Sequence, residues 1–225
     1  HAEPDDLEGL KQIVRENRVA GILIECVQGE GGVRALSDAY VKGVAELCEK
    51  EDIVFMTDEV QCGNGRTGKL YAYEHYGVLP DVVSTAKGLG GGLPIGATML
   101  GMKVENVFTP GKNGSTFGGN PIVCAGALAI LDHIDDKLID SVAEKGKFIK
   151  ESFEGAKGVK SVAGMGLMWG IEPEKDVSTI VPKLLEKGVV VLTAKEKIRL
   201  LPALNIPEED LEKAVSIMKE VLAED

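Results

Sequence analysis

Two residues invite a chemical reading first. Lys87 stands in "STAKGLGGG", one amine between a β-prone run and a glycine cluster, and Asp58 closes the apolar run "IVFMTD" 29 residues earlier. A lysine at a strand end is ordinarily a solvated surface group, and an aspartate there is ordinarily a cap or loop acid. On neighbouring strand ends the two have further uses: they can pair with each other, or flank a ligand that needs both. One cofactor asks for this pair. Pyridoxal phosphate has an aldehyde that takes a lysine amine as a Schiff base and a ring nitrogen whose proton a carboxylate holds. Its phosphate needs backbone N–H groups, hydroxyls and a helix N-terminus. "NGSTFGGNP" offers Ser115 and Thr116 directly before a helix start, or is simply a turn with its cap.

The elements around these residues set where they end up. "PDDLEGLKQIVREN" has apolar residues at helical spacing and is followed by the strand-length run "VAGILIECV". The pattern returns in "SDAYVKGVAELCEKED", which carries Tyr40, Val44, Leu47 and Cys48 on one face, and in "IVFMTDE"; "DVVSTA" and "GATMLG" read as two more strands. Apolar strands alternating with amphipathic helices predict an α/β fold with a doubly wound, mostly parallel sheet covered on both faces. Ligands of such sheets bind beyond the carboxyl ends of the strands. The loops there are "ECVQGEGG", "DEVQCGNGRTG" and "KGLGGG". From Asn120 the texture changes. A helix capped by Asn120 with Pro121 at its first position leads to a charged helix, two short strands, a helix, two more strands and the final helix. We expect residues 1–135 to form the larger domain and 136–225 a small α+β domain.

Composition narrows the partners. The 225 residues carry a net charge of -11, and the 25 basic residues are scattered, which speaks against nucleic acid or an anionic membrane and for a small molecule. No apolar run approaches the about 20 residues of a membrane span and no signal peptide is evident, so a cytoplasmic location is expected. Cys26, Cys48, Cys62 and Cys124 form no C-x-x-C pair and read as buried or partly buried thiols. His1, His75 and His133 are isolated, so no metal site is expected. The chain opens at His1 without an initiator methionine, and we read it as a fragment.

The runs "ECVQGEGGV", "MTDEVQCGNGRTG", "PDVVSTAKGLGGGLPIGA", "GSTFGGNP" and "RLLPALNI", in this order over essentially the whole chain, resemble the class III (ω-amino) aminotransferases. The resemblance implies a fold-type-I enzyme dependent on pyridoxal 5'-phosphate and built as a homodimer with its site shared across the interface. It implies Lys87 as the Schiff-base lysine and proton shuttle, Asp58 at the pyridinium nitrogen, Val60 on one ring face and Gln61 near the ring hydroxyl. Ser115 and Thr116 would serve the phosphate, Thr116 that of the partner subunit. Arg199 would grip the substrate α-carboxylate, and Glu30 would pair with Arg199 when an ω-amine is bound, freeing it for the α-carboxylate of 2-oxoglutarate. The motifs lean towards transfer of the ω-amino group of N-acetylornithine to 2-oxoglutarate, in arginine biosynthesis. Ornithine, 4-aminobutyrate, putrescine and succinylornithine are the competing donors, and a non-catalytic folding unit is the reading of a different class. The chain departs from the family pattern at Cys26, where many members have proline, and at Ala163, where arginine is expected. The family's upstream phosphate loop, ring-stacking aromatic residue and distal substrate arginine have no counterpart here.

Overall fold

The computed structural model describes residues 1–224. In chain order its elements are α1 (Leu7–Glu16), β1 (Gly21–Ile24), β2 (Val27–Gln28), β3 (Arg34–Ala35), α2 (Asp38–Lys50), β4 (Val54–Asp58), β5 (Val82–Thr85), β6 (Ala97–Leu100), α3 (Pro121–His133), α4 (Asp136–Phe153), β7 (Val159–Met165), β8 (Met168–Pro173), α5 (Val177–Glu186), β9 (Leu192–Ala194), β10 (Lys197–Leu200) and α6 (Glu208–Ala223). Single 3₁₀ turns fill Ala72–Tyr76 and Lys87–Gly90. The chain divides into two compact units. The first takes His1–Cys26, Leu36–Asn64 and Lys69–Asp135; the second takes Val27–Ala35, Gly65–Gly68 and the chain from Asp136 on.

The first unit is a four-stranded sheet in the order β1-β4-β5-β6. β1, β4 and β5 are parallel, and β6 closes the sheet antiparallel to β5. Helix α2 starts where Ser37 Oγ accepts the Tyr40 N–H at 3.3 Å, and it buries Tyr40, Val41, Val44, Leu47 and Cys48. Gly43 costs helix propensity but admits α1: a Cβ there would lie 2.4 Å from Leu7 Cδ2. Asp81 Oδ2 accepts the Phe55 N–H at 2.9 Å and so ties the start of β5 to β4. The expected cover on both faces is incomplete at the sheet edges. Leu23 of β1 is 58% exposed, and Ala97, Thr98 and Met99 of β6 are exposed, each strand having a neighbour on one side only among the described residues.

"VAGILIECV" does not run as one strand. The Cys26 carbonyl is spent on the Leu36 N–H at 3.0 Å and on Tyr76 Oη at 3.3 Å, and Tyr76 Oη also donates to the Leu36 carbonyl at 3.0 Å. These bonds close a neck in the first unit, from which Val27–Ala35 leaves.

The second unit is an antiparallel sheet in the order β7-β8-β10-β9. Helices α4, α5 and α6 bury Ile149, Phe153, Ile180, Leu184 and Met218 with Leu167, Ile171 and Ile198 of the sheet side. Each such side chain is worth about 1.5–3 kcal/mol on full burial. Trp169 belongs to the same core and donates Nε1–H to the Gly166 carbonyl at 2.6 Å. Gly146 of α4 sits so near the β7–β8 turn that a Cβ would lie 2.3 Å from the Gly166 carbonyl oxygen. β2 and β3 pair antiparallel as a short ribbon. In the Gly65–Gly68 segment, Arg66 donates Nη1–H groups to the carbonyls of Leu167 at 3.0 Å and Pro202 at 2.5 Å, and burial lowers its pKa to about 10.

Candidate functional site

In the first unit β4 and β5 run parallel with Asp58 opposite Ser84, and the Glu59 N–H to Ser84 carbonyl bond at 2.8 Å is their last rung. Asp58 and Lys87 therefore leave the carboxyl ends of adjacent strands, as the sequence suggests. They do not neutralise each other. One carboxylate oxygen of Asp58 accepts the Val60 N–H at 2.9 Å, and the exposed Lys87 ammonium has neither an ion-pair nor a hydrogen-bond partner among the described residues. Lys87 also has φ 47°, the left-handed region that a lysine enters only when its surroundings hold it there. An unengaged amine and a half-buried carboxylate on adjacent strand ends, at a sheet edge that favours ligands, make a donor set suited to pyridoxal phosphate. Val60 and Gln61 follow Asp58 half-buried. Ser115 and Thr116 are exposed in the loop before α3, whose Asn120 cap accepts the Ile122 N–H at 2.9 Å.

The glycine cluster after Lys87 has a use inside the chain that the sequence did not reveal. A Cβ on Gly90 would lie 2.9 Å from Ile95 Cγ2, and one on Gly91, at φ 57°, would lie 2.5 Å from Ile130 Cδ1 of α3. These two glycines let the turn seat against its own unit. Around Gly92 nothing lies within 4 Å of a Cβ position.

Two polar residues that sequence reasoning passed over hold this region. Glu59 is fully buried and accepts the N–H groups of Ala72 at 2.9 Å and Tyr73 at 3.0 Å and the Cys62 thiol at 3.2 Å. Desolvation raises its pKa above the ordinary carboxylate value despite these donors. The folded state thus binds this proton more tightly than the unfolded chain. The stability from that proton is fully present below the unfolded pKa and is lost as pH rises through the raised folded pKa. Glu59→Ala is expected to remove that pH dependence and, by stranding two N–H groups, to cost about 3 kcal/mol. Urea denaturation at about pH 5 and about pH 8 checks both effects. The second residue is Asn64, buried and bonded to Thr85 and Ala86. Burial likewise keeps the Cys48 thiol up at about 11; Cys26, Cys48 and Cys62 are buried and Cys124 is half-buried, all as thiols.

In the second unit the β2–β3 ribbon carries Glu30 in its turn, and Arg199 lies on β10 opposite Gly170 of β8. Arg199 Nη1 donates to Glu30 Oε1. The pair is lopsided: the arginine side chain is 9% exposed and the glutamate 75%, so the carboxylate is the partner that can leave. The buried Nε–H of Arg199 has no hydrogen-bond partner among the described residues. Val33, a β-branched residue at φ 49°, is fully buried, and a Cβ on Gly170 would lie 2.8 Å from its Cβ. This wedge sets the ribbon against the strands that present Arg199.

No helix among the described residues is long and apolar enough to cross a membrane, and no group of three or more His, Cys, Asp or Glu among them could hold a metal ion.

Residues 3–222 match the family Aminotransferase class-III. The chain is 43% identical over 226 residues to acetylornithine aminotransferase of Haemophilus ducreyi, covering 100% of this chain and 58% of that protein. It is 44% identical over 227 residues to acetylornithine aminotransferase of Caldanaerobacter subterraneus, covering 98% and 57%. Among solved structures, ornithine δ-aminotransferase of Plasmodium falciparum superposes with a TM-score of 0.90 at 38% identity, covering 98% of this chain and 60% of that one. Acetylornithine aminotransferase of Elizabethkingia anophelis superposes with a TM-score of 0.90 at 34% identity, covering 97% and 58%. The chain thus spans less than two thirds of the length of these relatives. With its α/β fold of type I and the match running over nearly all its residues, the chain belongs to the class III aminotransferases.

Proposed function

We propose that the subunit containing this chain is an aminotransferase that uses pyridoxal phosphate and moves the ω-amino group of N-acetylornithine to 2-oxoglutarate. The observation that carries the reading is the pairing of Asp58 and Lys87 on adjacent strand ends with no ion pair between them. When bound, the cofactor supplies an electron sink for the bonding pair of the substrate carbon. The chain's own residues do the rest. Lys87 Nζ anchors the cofactor and moves the proton at the reacting carbon, while the Asp58 carboxylate holds a proton on the ring nitrogen. Val60 limits the ring on one face, Gln61 meets its hydroxyl side, and Ser115 and Thr116 serve the phosphate, Thr116 in the partner subunit.

Arg199 takes the substrate carboxylate. Its guanidinium fork matches a carboxylate with two parallel bonds, and its buried Nε–H is a donor in waiting. The exposed Glu30 yields when a dicarboxylate arrives and returns when a neutral or cationic end replaces it. Arg199→Lys keeps the charge but not the fork. It is expected to raise KM for 2-oxoglutarate by about 100-fold, with kcat falling less. Initial-rate kinetics over both substrates measures the split.

Residues 93–128 of the first unit also carry exposed Leu93, Met102, Phe108, Phe117, Ile122 and Leu128, apolar surface that supports a homodimer. The test of the function is a donor panel with 2-oxoglutarate on the complete subunit. N-acetylornithine is expected to give the highest kcat/KM, and a clear preference for ornithine, 4-aminobutyrate, putrescine or succinylornithine overturns the choice.

A further inference from the structure

We propose that Asn64 is a positioning residue that fixes Lys87 in its working conformation through Thr85 and Ala86, a role that rests on the cofactor reading above. Asn64 is 4% exposed and has φ 55°, a left-handed conformation that asparagine tolerates better than most residues. Its Nδ2 donates to Thr85 Oγ1 at 2.9 Å and to the Ala86 carbonyl at 3.1 Å, the two residues immediately before Lys87. The Thr85 hydroxyl is bonded in turn with Tyr71. On the far side of Lys87, a Cβ on Gly88 would lie 3.5 Å from Asn64 Cβ.

Lys87 needs such a grip. Its own side chain is exposed and bonded to nothing among the described residues, and its backbone is in a region with no intrinsic preference for lysine. The direction of its amine is therefore set by its backbone, and Asn64 holds the two residues that lead into it. The arrangement also spends stability: Asn64 Oδ1 is buried without a hydrogen bond among the described residues. Both donors of the amide serve the lysine turn while its acceptor goes unused, which favours placement of that turn over stability as what the residue provides.

The test uses the complete subunit and three variants. Asn64→Gly keeps the left-handed backbone and removes the amide. Thr85→Val removes the hydroxyl that receives it, and Thr85→Ser keeps that hydroxyl. Without cofactor, amide hydrogen exchange in residues 84–92 is expected to quicken by about 10-fold in Asn64→Gly and Thr85→Val, with Thr85→Ser near the parent. With pyridoxal phosphate, borohydride reduction and peptide mapping are expected to show the label on Lys87 in the parent. The cofactor dissociation constant should rise by about 10-fold in the first two variants. Unchanged exchange and labelling in Asn64→Gly would overturn the positioning role while leaving the cofactor reading intact. Exchange quickened throughout residues 36–135 rather than at 84–92 would also overturn it, by showing general support only. A parent with no label on Lys87 would overturn both. Should Asn64→Gly fail to fold, Thr85→Val against Thr85→Ser decides the question by the same readings.

Discussion

Lys87→Ala is expected to lower kcat of the complete subunit by at least about 10⁴-fold and to abolish the borohydride-fixed cofactor label. The loss should be chemical rather than structural. Lys87 is exposed, its ammonium supports no other described residue, and alanine at φ 47° is no more strained than lysine. Stability should therefore stay within about 0.5 kcal/mol of the parent. On the proposed reading, the amine removed is the group that would anchor an aldehyde and shuttle a proton to the reacting carbon. Single-turnover kinetics with N-acetylornithine, together with a melting curve, separates the two kinds of effect. Substantial turnover in a folded variant would refute the assignment of Lys87.

Asp58→Asn is expected to cost about 10³-fold in kcat with the cofactor still bound. Asparagine retains an oxygen that can accept the Val60 N–H, now at 2.9 Å from Asp58 Oδ1, so the turn after β4 should survive. What goes, on the proposed reading, is the negative charge that would keep a proton on the ring nitrogen. The expected signature is normal labelling of Lys87 with slow loss of the substrate α- or ω-proton, read by isotope exchange. Near-parent rates would mean that the ring proton is held by another group.

Much of this site was legible because it follows from local chemistry. "IVFMTD" and "DVVSTA" announce strands by their apolar character, so residues at their carboxyl ends can be placed before any coordinates exist. The Asn120 cap with Pro121 marks the start of α3 in the same way. What stayed hidden depends on partners distant in sequence. Glu59 is a loop acid in the sequence and a buried acceptor in the fold, because Ala72 and Tyr73 turn back onto it. Asn64 looks like one more residue of a glycine-rich loop until Thr85, 21 positions away, meets it. The β2–β3 ribbon is too short to show a period. Glu30 and Arg199, 169 positions apart, could be joined beforehand only through the family resemblance.

The neck at Cys26 and Leu36, and the short Gly65–Gly68 segment, bear on how this architecture can be divided or recombined. A cut between Asp135 and Asp136 looks clean in sequence, yet the piece released would lack the Arg66 guanidinium that serves the Leu167 and Pro202 carbonyls. It would also lack Val33, which fills the space beside Gly170. The second unit is consequently not a cassette. A chimera between relatives must carry three stretches of chain together, because the ribbon and the arginine segment complete the second unit although they lie among the first unit's residues in sequence.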